Sequence, residues 1–130
     1  QIGGAIVGAL LANLTFDLPV LQFSDHARVT TGTLVAEVIA TAGLLAVIQV
    51  FAARKNANHV AIAVAAWIGS AYFFTASTSF ANPAVTIGRA FTDTFAGIAP
   101  ASIVPFIAAQ LVGAALGLLI AKALTSTQAD

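Results

Sequence analysis

The sequence contains no cysteine, which excludes disulfides and thiolate metal sites. It contains no methionine either, so a chain beginning at Gln1 is expected to be a fragment of a longer product. Charge is scarce, at 8% of residues, where a soluble domain carries about a quarter. The formal net charge is zero, and no basic patch speaks for a nucleic-acid partner. The opening apolar run lacks a basic flank and a cleavage-like site, so it does not read as a signal peptide. No nucleophile stands beside a base, and there is no metal-ligand cluster and no carboxylate pair. An enzyme, a bound metal and an organic cofactor are therefore not expected.

What is present is apolar: 59% hydrophobic residues and a mean hydropathy of +0.97. The window 33–53 has Glu37 as its sole charge, and Val60 to Phe80 has none. At about 1.5 Å per residue each matches one hydrocarbon thickness of about 30 Å. A third apolar run ends near Leu124, interrupted by Pro105, Gln110 and Lys122, and residues 1–16 read as the end of a further span. None shows the polar outer face that a soluble bundle requires. The expected organisation is therefore an all-α membrane protein with an end of a span at 1–16 and spans at 33–53, 59–80 and 102–124. Arg54 and Lys55, between two spans, mark the cytoplasmic side, and the Asp17 connection with Asp25 and Arg28 lies outside; Lys122 then also falls inside.

An internal echo is present. "QIGGAIVGALLA" from Gln1 and "QLVGAALGLLIA" from Gln110 match at Gln1/Gln110, Gly4/Gly113, Ala5/Ala114, Gly8/Gly117, Leu10/Leu119 and Ala12/Ala121. Small residues recur wherever membrane helices pack closely, which is one explanation. The other is a repeat of three spans, an odd number, whose successive copies have opposite topology.

Between the spans stands "SFANPAVTIGR", residues 79–89. It is too apolar for an ordinary loop and too short to cross and return. It reads as a re-entrant half-helix over 82–92, with Asn82 as cap and Pro83 at the first helical position, where its missing N–H costs nothing. Such backbone survives at membrane depth where it is buried in protein or lines a water-filled cavity. Glu37, an ionisable group inside a span, is a functional candidate for the same reason, the plainer role being a carboxylate hydrogen-bonded to backbone.

These features resemble the major intrinsic protein family, the aquaporins and aquaglyceroporins, and in particular a bacterial aquaglyceroporin-like branch. Asn82-Pro83-Ala84 is similar to the family's signature, "EVIAT" from Glu37 to Thr41 resembles its fourth span, Gly69 in "IGS" falls at its fifth-span spacing, and Gly88 follows Asn82 as the family pattern has it. The likeness covers essentially the whole chain, as the second half of a family member. It implies an aquaporin-like inverted-repeat helical bundle with one re-entrant half-helix in this half, Asn82 offering a hydrogen bond to passing water, and Glu37 bracing the turn. The family's outer constriction corresponds here to Ser70, Ser79 and Val85. Its usual arginine is replaced by Val85, so the resemblance implies a wider ring without fixed charge, suited to glycerol-like polyols or neutral metalloid acids as well as water. Arg89 either lines the vestibule or pairs with Asp93.

The implied partners are the lipid bilayer, water and small uncharged solutes, a missing N-terminal half or a second copy, and further subunits of a homotetramer in the cell membrane. Two other readings stay open: an inverted-repeat secondary transporter, which would want more intramembrane charge than Glu37, and a non-conducting remnant of the channel scaffold.

Overall fold

A computed structural model describes residues 1–54 and 57–126, with the side chain of Ala57 left out. Lys55, one of the two cations expected to mark the inner side, lies outside the described residues. Those residues form helices and no strand: α1 (Ile2–Thr15), α2 (Thr31–Ala53), α3 (Ala57–Phe74), α4 (Pro83–Gly88) and α5 (Pro100–Ser126), with a 3-10 turn (Arg89–Phe91) continuing α4.

Local chemistry sets several of these boundaries. The Thr33 N–H donates to Thr30 Oγ1 at 3.1 Å while the Thr30 N–H donates to Thr33 Oγ1 at 3.0 Å, a reciprocal cap that starts α2. Asn82 caps α4 and Pro83 follows it, the pattern read from sequence. The helix of the 59–80 segment ends at Phe74, and residues 75–82 are irregular. Thr78, Ser79 and Ala81 have φ of 63°, 52° and 49°, left-handed backbone that side-chain-bearing residues rarely adopt. The Ala81 N–H is held from outside the segment, by Glu37, as described below.

α2 and α5 are the two described helices long and apolar enough to cross a membrane, and they pack backbone to backbone. A Cβ at Gly113 would sit 2.5 Å from the Val38 carbonyl oxygen, and one at Gly117 would sit 2.4 Å from that of Ala42. This Gly-x-x-x-Gly face lets the two helices approach as larger side chains would not. Gly117→Val is accordingly expected to force α5 away from α2 at a cost of about 1–3 kcal/mol. A drop of several degrees in the Tm of the detergent-solubilised chain checks this; an unchanged Tm would show that the seam can yield.

α3 closes against α2 through Trp67, which lies over Gly43 and donates its indole N–H to the Ala40 carbonyl at 2.9 Å. α1 packs on α4 and the 3-10 turn, with Gly88 tight against Ala5. Buried Asn13 fixes the end of α1 by donating to the carbonyls of Phe91 (2.8 Å) and Val20 (3.1 Å). The matching glycines of α1 differ from those of α5, since nothing stands within 4 Å of a Cβ at Gly4 or Gly8.

The buried apolar cluster is small: Phe80, Ala90, Ile98 and Phe106, with Leu34, Val85, Phe91 and Ile103 against it. Large apolar side chains face outward instead, among them Phe73 at 86% and Phe16 at 77% exposure. Exposed apolar surface on this scale suits hydrocarbon or a protein partner, not water.

Candidate functional site

The centre of the site is the turn that leads into α4. Glu37 lies in the second turn of α2, wholly buried. Its Oε1 accepts the Phe80 N–H at 2.8 Å and its Oε2 accepts the Ala81 N–H at 2.9 Å. Two amides presented to one carboxylate cannot also serve a helix, so the backbone at Phe80 and Ala81 is irregular.

Gln110 of α5 completes the clamp. Its Nε2 donates to Glu37 Oε2 at 2.7 Å and to Thr86 Oγ1 at 2.8 Å. Thr86 Oγ1 donates in turn to the Asn82 carbonyl at 3.0 Å, so α2, α5, the turn and α4 share one buried network. In the sequence Gln110 stands out as an interruption of the last apolar run and as the partner of Gln1 in the echo; an amide in an otherwise apolar helix was the signal that could have marked it for the site.

Asn82 Oδ1 accepts the Ala84 N–H at 2.8 Å, so the carboxamide nitrogen remains as a donor. Asn82 and Pro83 border two cavities, of about 540 and 320 Å³, that also share Gln1. The second cavity reaches Thr41 and Gln110, whose Oγ1 and Oε1 are buried without a protein partner.

The residues matched to a constriction stand on three different elements. Val85, half-buried on α4, borders a cavity of about 270 Å³ with Ala5, Ala9, Arg89 and Thr92. Ser79 is buried in the turn, its Oγ unpartnered, and Ser70 is exposed on α3; neither borders that cavity. Arg89 begins the 3-10 turn and places its guanidinium carbon 4.3 Å from the centroid of the Phe80 ring. Asp93, the alternative partner, accepts the backbone N–H of Asp25 instead.

Arg28, read from sequence merely as a charge of the outer connection, is buried. It donates through Nε to the Gly97 carbonyl and through Nη2 to that of Phe95, and it also lies over Phe80, at 5.1 Å. Burial lowers its pKa from the ordinary arginine value, with Tyr72 and Glu37 acting in the opposite sense. Among the described residues no three His, Asp or Glu side chains are grouped to hold a metal ion.

The chain is 44% identical to the aquaglyceroporin AqpS of Rhizobium meliloti (strain 1021) over 122 residues, 94% of its own length. The alignment takes in 52% of that protein, its C-terminal half, so the chain spans about half the length of the curated relative it matches. No family model matches the chain, and no solved structure does.

Proposed function

Since this chain is related to the aquaglyceroporins of the major intrinsic protein family along nearly its whole length, we propose that it forms one half of a passive membrane channel for water and small neutral solutes. The observation that carries the reading is the Asn82 cap. One side of the carboxamide is used to start α4, and the nitrogen is left to meet a passing oxygen at the border of two cavities.

In this reading residues 82–92 are a re-entrant half-helix, and the apolar helices cross a cell membrane several times. Asn82-Pro83-Ala84 faces the pore at mid-membrane. Glu37 and Gln110 hold the turn so that its backbone keeps one shape as solutes pass. Val85 gives the lining a neutral side chain, which favours glycerol-like polyols and neutral metalloid acids beside water; Ser70 and Ser79, matched to the same constriction, do not border its cavity. The matching half, an N-terminal segment or a second copy, supplies the other Asn-Pro-Ala turn in an inverted-repeat bundle, and subunits associate as tetramers. The open Gly4/Gly8 face of α1, which echoes the occupied Gly113/Gly117 face of α5, supports a further helix there.

The relationship is to channels, and the chain is accordingly not an enzyme. A coupled transporter is less well supported, because the intramembrane carboxylate it would use is already engaged by two amides and Gln110.

The test is permeation. The chain is co-reconstituted into liposomes with the N-terminal half of AqpS, and shrinkage and swelling are followed by stopped-flow light scattering. Water and glycerol are expected to cross several-fold faster than in empty liposomes. Permeation at the empty-liposome rate, with both halves shown to be inserted, would overturn the channel in favour of a non-conducting remnant.

A further inference from the structure

Arg28 holds together parts of the fold that lie far apart in the chain. The segment 92–99, between the 3-10 turn and α5, forms neither helix nor strand. Carbonyls in such a segment lack the partners that regular structure supplies, and burying them unpaired is costly. The edge of the Arg28 guanidinium serves two of them, Nε donating to Gly97 and Nη2 to Phe95. Its face rests on the Phe80 ring, 5.1 Å from the centroid, and the Phe80 N–H is held in turn by Glu37. The backbone of Arg28 is tied as well, its N–H donating to Ser102 Oγ at 3.1 Å and its carbonyl accepting from Thr33 Oγ1. The segment it grips is also a wall. Thr92 and Ala96 border both the cavity of about 270 Å³ at Val85 and one of about 510 Å³ beside Asn13 and Phe95. Irregular backbone next to unfilled space closes over it unless something fixes the wall.

We propose that Arg28 is a positioning residue of the permeation path: gripping the Phe95 and Gly97 carbonyls from its seat on Phe80, it fixes residues 92–99 and keeps the cavities beside them open to a polyol-sized solute. Arg28 touches no solute in this scheme and acts through the segment it holds. Because Phe80 is bonded to Glu37, the same side chain joins that wall to the turn before α4. The proposal rests on the channel reading and assigns it a residue outside α4.

Two measurements test it. Arg28→Met keeps an apolar stem and loses the donors, whereas Arg28→Lys keeps a charged donor. In the channel co-reconstituted with the N-terminal half of AqpS, Arg28→Met is expected to lower glycerol permeation by about tenfold, the worth of one hydrogen bond from a charged group, with water lowered less. Arg28→Lys is expected to recover part of the loss. Equal glycerol rates in the two variants, as a packing role would give, or in Arg28→Met and the unsubstituted channel, would overturn the proposal. Independently of conduction, hydrogen exchange is followed on the chain alone in nanodiscs. The amides of Gly97, Ile98 and Ala99, which donate to the carbonyls of Thr94, Arg89 and His26, are expected to exchange about tenfold faster in Arg28→Met while those of α2 and α5 keep their rates. Unchanged exchange at residues 97–99 overturns the proposal. If Arg28→Met loosens α2 and α5 too, the same comparison is made with Arg28→Lys, where a rate equal to that of the unsubstituted chain overturns it. Failure of the unsubstituted channel to pass glycerol counts against the channel reading instead, and the exchange rates then decide for Arg28.

Discussion

Glu37→Ala is expected to release the turn before α4 and abolish permeation. The substitution removes a carboxylate that accepts from the Phe80 and Ala81 amides and from Gln110, leaving three buried donors facing a cavity. Breaking a buried charged interaction by removing one partner costs about 3–5 kcal/mol, a large part of the roughly 5–15 kcal/mol by which a domain is stable. Ala81 compounds the effect, because its left-handed backbone is held by one of these bonds. Limited proteolysis should cut residues 75–82 in Glu37→Ala under conditions where the unsubstituted chain resists. Glu37→Gln, which keeps one acceptor oxygen, should fall between the two. A Glu37→Ala chain that is protease-resistant and conducts normally would mean that the turn is held by other contacts.

Val85→Arg is expected to have the second large effect, closing the channel to glycerol far more than to water. Val85 borders its cavity beside three alanines of α1, and the free volume there, about 270 Å³, exists because those three side chains, Ala5, Ala9 and Ala12, are small. A guanidinium on the same face, one turn from Arg89, would fill that space and bring two like charges together. Glycerol permeation should fall at least about tenfold, a barrier increase of about 1.4 kcal/mol, with water affected less. Val85→Ala serves as the control and should pass glycerol at least as well as the unsubstituted channel. Equal glycerol rates in Val85→Arg and the unsubstituted channel would place the constriction elsewhere.

The comparison between the two glycine pairs shows how far sequence reaches. Gly4/Gly8 and Gly113/Gly117 are the same pattern in the same local context, and nothing in the letters separates them. In the folded chain one pair is pressed against α2 and the other is open, because it is α5 that packs along α2. Arg28 and Arg89 divide in the same way. Each stands three or four residues from an aspartate, Asp25 or Asp93, yet the connection bearing Phe95 and Gly97 folds back over Arg28 and leaves the guanidinium of Arg89 without a hydrogen bond among the described residues.

By itself the sequence determined the apolar segments, the cap at Asn82, and the presence of a carboxylate where burial demands a partner. Hydropathy, capping and proline geometry act between neighbours, so they can be read from neighbours. The tertiary structure alone decided that the partner of Glu37 is the Phe80–Ala81 turn together with Gln110, that α3 ends at Phe74, that Ser70 is exposed while Ser79 is buried, and that Arg89 stacks on Phe80. The Glu37 bonds join residues 43, 44 and 73 positions apart. A buried donor or acceptor must be satisfied, but which distant group satisfies it is settled by how the helices pack, and no local rule carries that information.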